Sequence, residues 1–239
     1  MTVTESVTDS ITHSSARTFE MVPLDLYKDI HKGIRAELFA VTGAAGSLDP
    51  ADRVGRHDLA RYVGSVVDLL VQHAEHEDTY GQPVIEAHLP AYARRVAEEH
   101  EALEARMVGL RALADDNVNA VSDLRGRTHA LYIDLASFTS AYLAHQDMEE
   151  RDLMPALHAA IGFEQVLTIH STIIASIPPD DMARSAAIMI PAMNIDDRAD
   201  LLGGMKAGAP PEVFEGVWNL VGSVLPACDY AKLGARLGM

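Results

Sequence analysis

Cysteine is nearly missing from this chain: Cys228 is the only one in 239 residues. No intrachain disulfide can form, which excludes the disulfide-stapled secreted scaffolds and fits a reducing compartment. Cys228 itself reads as a small, partly buried apolar residue. Basic charge is also scarce. Nineteen Lys and Arg stand against 35 Asp and Glu, a formal charge of −16. Such a field repels nucleic-acid phosphates and anionic membrane surfaces, so neither is expected as a partner. Long apolar runs are missing too. The longest, Ala186 to Met193, falls far short of the ~20 residues that span a bilayer. Met1 to Ser15 is polar and lacks the apolar core of a secretory signal. No Gly-rich phosphate loop, nucleophile elbow or Cys-x-x-Cys occurs, which leaves nucleotide, acyl-transfer and dithiol chemistry without support. The expectation is a soluble cytoplasmic protein.

Apolar residues make up 48% of the chain, enough for a buried core. Residues 1–20 are rich in Thr, Ser and Val without a helical stripe and read as a flexible tail. From Leu24 the apolar spacing turns helical, and four long helices are predicted within 21–160. The first carries Leu26, Ile30, Ile34 and Leu38 and ends at a Gly43–Pro50 loop. The second runs from about Pro50 to Tyr80, and Pro83 to His88 forms a further turn. The third opens at Pro90 and closes at an Asp115–Asn119 loop. The fourth runs from about Val121 to Asp152. Residues 163–239 differ: they are Met- and Ala-rich, broken by prolines and glycines, and read as three or four short helices. This extension has three roles open to it: flanking the long helices, lidding their open end, or forming a dimer contact.

One pattern occurs twice. His73-Ala-Glu-His-Glu77 and His145-Gln-Asp-Met-Glu149 each set a histidine four residues before a glutamate. Residues i and i+4 share one helix face, about 6 Å apart. A lone histidine precedes each pair, His31 by 42 residues and His100 by 45. At an offset of 72, His57 also falls on His129 and Pro83 on Pro155, so the second and fourth helices read as related copies. Two αα-hairpins with pseudo-twofold symmetry make a four-helix bundle. A lone interior histidine is more often a hydrogen-bonded core residue. The symmetric recurrence of His31, His73, His100 and His145 with Glu77 and Glu149 argues instead for a dinuclear metal site. A buried carboxylate without a cation would be costly. The mixed N/O set favours Fe, Mn or Zn over Mg or Ca, with iron first for its non-haem O₂ chemistry. His76 reads as a surface or supporting residue, His57 and His129 as structural, and His88, His158 and His170 as solvated. Tyr27 and Tyr142 read as core aromatics near the pocket, and Arg35 has two readings open, a partner for a ligand carboxylate or a solvated residue.

This constellation resembles the hemerythrin-like, or HHE cation-binding, family over about residues 24–160. His31, His73-xxx-Glu77, His100 and His145-xxx-Glu149 carry the resemblance, with the proline-punctuated ends at Pro83 and Pro155. It implies an all-α, up-down four-helix bundle with a helical C-terminal extension. It also implies two iron ions in a non-haem centre, bridged by Glu77 and Glu149 and held terminally by the histidines. Oxygen-carrying members have a second histidine four residues after the one on the third helix; this chain has Glu104 there. As a seventh ligand, Glu104 would add negative charge, stabilise Fe(III) and weaken the case for reversible O₂ carriage. The functions implied are a protein that reacts with O₂ or peroxide in sensing, iron handling or peroxide removal. The alternative is an oxidase or oxygenase acting on a small organic substrate under the extension.

Overall fold

A computed structural model describes residues 19–239, whose regular structure is helical throughout. Most of the tail expected over 1–20 lies outside the described residues. The first region comprises α1 (Lys28–Ser47), α2 (Arg53–His76), α3 (Gln82–His88), α4 (Pro90–Asn119), α5 (Leu124–Met148) and α6 (Met154–Ile161). Helix α1 lies against α2 and α5, and α4 lies against the same two, so the four long helices close a circuit. Their interior is aliphatic at helical spacing: Ile34, Leu38 and Val41 meet Val63, Val67 and Leu70, with Leu103, Met107, Leu131 and Phe138. Burial of each such side chain contributes roughly 1.5–3 kcal/mol.

Two sequence boundaries differ for physical reasons. Helix α1 runs through the expected Gly43–Pro50 loop as far as Ser47. Gly46 is tolerated there because a Cβ would lie 2.9 Å from the Tyr132 ring, and its absence admits that ring. Likewise Asp115–Asn119 is helical, not a loop. Buried Asn117 accepts from Thr128 through Oδ1 at 2.9 Å and from Arg56 through its carbonyl at 3.2 Å, which holds the last turn of α4.

Between α2 and α3, and again between α5 and α6, the chain makes one π-helical turn, at Glu77–Gly81 and Glu149–Leu153. Each turn opens on the glutamate of the repeated motif. Gln82 donates its N–H to the Glu77 carbonyl and Met154 donates to Glu149, both five residues back. Pro83 and Pro155 supply the cause. A proline ring displaces the carbonyl four residues earlier, Thr79 or Arg151, and the helix relieves the clash by widening.

The C-terminal region folds as five helices where three or four were expected: α7 (Phe163–Ser176), α8 (Pro179–Ala192), α9 (Ile195–Gly208), α10 (Pro211–Val224) and α11 (Ala227–Arg236). Pro179 and Pro211 suit first helical turns, and the Asn194 side chain caps α9 by accepting from Asp196 N and Asp197 N. A small core of Ile190, Leu202, Phe214, Val221 and Leu233 holds these helices together. They are also seated on the first region. Helix α8 lies along α1, where a Cβ on Gly33 would come within 3.0 Å of Ile188 Cγ2 and 3.3 Å of Met189 Cα. Lys28 and Lys32 of α1 both reach Asp197 of α9. No helix among the described residues is long and apolar enough to cross a membrane.

Candidate metal centre

The aliphatic stripes of α2 and α5 end at His73 and His145, one turn before the two π turns. Widening the helix there sets Glu77 and Glu149 at the start of a displaced turn. Lone His31 on α1 and His100 on α4 complete the set. The imidazoles fall into two pairs. His31 Nε2 lies 3.1 Å from His73 Nε2, and His100 Nε2 lies 3.2 Å from His145 Nε2. Ligands bound to one ion at about 2.1 Å and at right angles stand roughly 3 Å apart, so each pair has the spacing of one coordination edge.

Both carboxylates span the two pairs. Glu77 turns Oε1 toward His73 at 3.0 Å and Oε2 toward His100 at 3.4 Å. Glu149 turns Oε2 toward His31 at 3.5 Å and Oε1 toward His145 at 3.3 Å. All four oxygens are buried without a hydrogen bond. Orphaned buried carboxylates are costly, and a cation is the partner that removes the cost. Two overlapping groups could hold an ion: His31, His73 and Glu77, and Glu77, His100, His145 and Glu149. The six side chains thus fit a metal site with two ion positions.

Acids behind the rings fix their orientation. His31 Nδ1 meets Glu150 Oε1 at 3.0 Å, His100 Nδ1 meets Asp78 Oδ1 at 2.9 Å, and His145 Nδ1 meets Glu99 Oε2 at 2.7 Å. Arg35 donates to Glu150 at 2.7 Å, so it pairs with a bracing acid rather than with a ligand carboxylate. The π turns organise this crosswise: the residue after each motif glutamate braces a histidine of the other pair. Sequence reasoning missed Asp78, Glu99 and Glu150. Their signal was adjacency, since each sits next to a ligand-type residue.

The electrostatics follow from burial. Burial drives His31 down to about 4, against the pull of Glu150. At His100 burial also opposes the charge, yet Glu77 and Asp78 outweigh it and raise the ring to about 9. Burial lowers His145 despite Glu99. Burial would raise Glu77, but His73 and His100 hold it well below the carboxylate range. Burial and the neighbouring Glu77 push Glu149 well above it. Tyr27 stacks on His31 at 5.3 Å, and Tyr142 meets His145 edge-on at 6.0 Å. Burial, then the charges of Glu149 and Glu77, push both phenols well above 10, so they keep their protons.

The structure does not bring Glu104 to the site. Its side chain is exposed on α4 and belongs to neither cluster. A helix turns about 100° per residue, so Glu104 lies about 40° from His100, on the side away from buried Leu103 and Met107. His57, His88 and His129 are exposed, and His158 binds the Leu24 carbonyl at 2.7 Å. His76 and His170 are half-buried in the wall of a partly open cavity of about 400 Å³ lined by α1, α2, α7, α8, α9 and α10, which also touches His73 and Glu77.

Comparison with known proteins fits this geometry. Residues 22–157 match the hemerythrin HHE cation-binding domain, covering α1 to α5, both π turns, the first half of α6 and all six converging side chains. No curated protein and no solved structure matches the chain at a significant level. The chain belongs to the hemerythrin HHE cation-binding domain family.

Proposed function

We propose that α1, α2, α4 and α5 act as an up-down four-helix bundle holding two iron ions, and that this centre reacts with O₂ or peroxide in the cytoplasm. The observation that carries the reading is the pair of carboxylates, each offering one unbonded oxygen to each histidine pair. Four imidazoles and two carboxylates form a mixed N/O set suited to iron. Bound iron would supply Lewis acidity and redox capacity toward a dioxygen species. The chain's own residues orient and protect. Glu150, Asp78 and Glu99 hold the rings, and aliphatic core residues exclude water from one side. Protonated Tyr27 and Tyr142 stand beside the two histidine pairs. With Glu104 exposed, the seventh oxygen ligand drops out, and so does the argument against reversible O₂ carriage that rested on it. The charge of −16 supports a reading without nucleic-acid or anionic-membrane partners.

A second reading, oxidation of a small organic substrate, is favoured by the cavity that touches His73 and Glu77 beneath the extension. One experiment separates the readings. Iron-loaded, reduced protein is mixed with O₂ and, separately, with peroxide while absorption is followed. A band that reverses on removing O₂ supports carriage, and steady O₂ evolution from peroxide supports peroxide removal. A chain that binds one zinc and is inert to both reagents overturns the proposal.

A further inference from the structure

The cavity between the extension and α1–α2 is walled mainly by hydrocarbon: Ile30 and Leu69 on one side, Ile173, Met182, Met189 and Leu220 on the other. Its volume of about 400 Å³ suits a small organic molecule. Ordered water needs several polar partners, and this wall offers few. Charge narrows the occupant further. No lysine or arginine lines the cavity, so an anion finds no protein counter-charge there. Three acids line it, in three different situations. Asp25 accepts from the backbone N–H groups of Tyr27 and Lys28 at 2.9 and 3.0 Å. Asp29 has Lys28 Nζ at 3.6 Å, an ion-pair distance that leaves its buried Oδ1 without a hydrogen bond, and Glu77 belongs to the candidate metal site. An organic cation would compete with the metal ions for Glu77 and would leave the hydrocarbon wall to strip water from its charge, so a neutral body fits this space best. The polar end is the metal side, because His73 is the one ligand-type imidazole in the wall.

We propose that this cavity binds a neutral, hydrocarbon-rich small molecule, with its polar end at His73 and Glu77 and its apolar body under α8 and α10. The proposal deepens the second reading above by naming the ligand class. Its binding step does not require that reading to hold.

The test titrates the full chain, as purified with its metal, with the neutral fluorophore N-phenyl-1-naphthylamine. Displacement is then measured with 1-decanol, decanoate and decylamine. The expected result is one saturable site from which decanol displaces the fluorophore about tenfold more effectively than either charged analogue. Ala186→Phe, which fills the wall, should weaken binding about tenfold. Gly216→Phe, placed at the cavity where an added side chain meets open space, should do the same without crowding the fold. His145→Ala, remote from the wall, should leave fluorophore affinity within about twofold while metal content falls. Loss of metal with retained fluorophore binding upholds the cavity separately from the centre. No saturable binding, equal affinity in both filled variants, or stronger displacement by decanoate or decylamine would overturn the proposal.

Discussion

The two halves of the metal centre share one backbone design and differ in what stands behind the rings. In the His100 and His145 half, both imidazoles are braced by acids, Asp78 and Glu99. In the His31 and His73 half, Glu150 braces His31, and the position that matches Glu99 is Ile30, since each precedes the lone histidine of its half. Ile30 and His73 both face the cavity. The lesson is that pseudo-symmetry supplies a symmetric cage, while an aliphatic residue, Ile30, at the position matching the acid Glu99 makes the halves chemically unequal. One half is electrostatically locked. The other borders an apolar space.

The sharpest way to probe the inequality is pH. Ligation requires a neutral imidazole. His31, lowered to about 4, is already neutral near pH 7, whereas His100, raised to about 9, must lose a proton. Ion affinity of the His100 half should therefore rise by up to about tenfold per pH unit between pH 6 and 9. The His31 half should change far less. Calorimetric metal titration at several pH values checks this, and parallel slopes for the two ions would erase the distinction. Next in size is Glu99→Gln. Removing that brace should cost about 10–100-fold in affinity for one ion and leave the other nearly unchanged, as read by competition with a chelator.

The seating of the extension can be broken separately. Gly33→Val adds a side chain where α1 and α8 nearly touch, and overpacking of this kind costs about 1–3 kcal/mol. Denaturant unfolding should show that loss together with weaker fluorophore binding; an unchanged midpoint would contradict the close fit. The smallest effect belongs to Asp197→Asn, which breaks the tie to Lys28 and Lys32. Partly buried pairs at a solvent-reached edge, such as these, contribute about 1 kcal/mol. Burial would raise the Asp197 carboxyl, but the two lysines hold it below the usual range. Its contribution is therefore present at neutral pH and lost as pH falls through that lowered value. Limited proteolysis of α8–α11 should show earlier cleavage in acid and in D197N. Identical digestion of the variant and the parent would assign the seating to α8 alone.

The convergence of His31, His73, Glu77, His100, His145 and Glu149 was legible because coordination chemistry demands particular residue types, and the i, i+4 spacing of His73 with Glu77 and of His145 with Glu149 survives in any helical register. The helical class was legible for the same reason, from the period of residues such as Ile34, Leu38, Val63 and Val67. The π turns were not. Pro83 and Pro155 read as interruptions, and only the backbone shows the helix absorbing each proline by widening at the preceding glutamate. The bracing acids were hidden because Asp78, Glu99 and Glu150 act across helices, and a linear pattern does not report which helices adjoin. Glu104 misled for a related reason. Its i+4 spacing from His100 matched a ligand pattern, but the buried stripe of α4 runs through Leu103 and Met107 and turns Glu104 to solvent. The extension's helix count slipped because its short helices are parted by breaks of only one or two residues, such as Met193-Asn194 and Leu225-Pro226, which a linear pattern does not separate cleanly.

Iron stoichiometry, measured per chain by elemental analysis, tests the shared cage most directly. The account predicts two ions in the parent chain and none when His73→Ala and His145→Ala are combined, because that pair removes one imidazole from each position. Full iron content in the double variant, with helical structure intact, would contradict it.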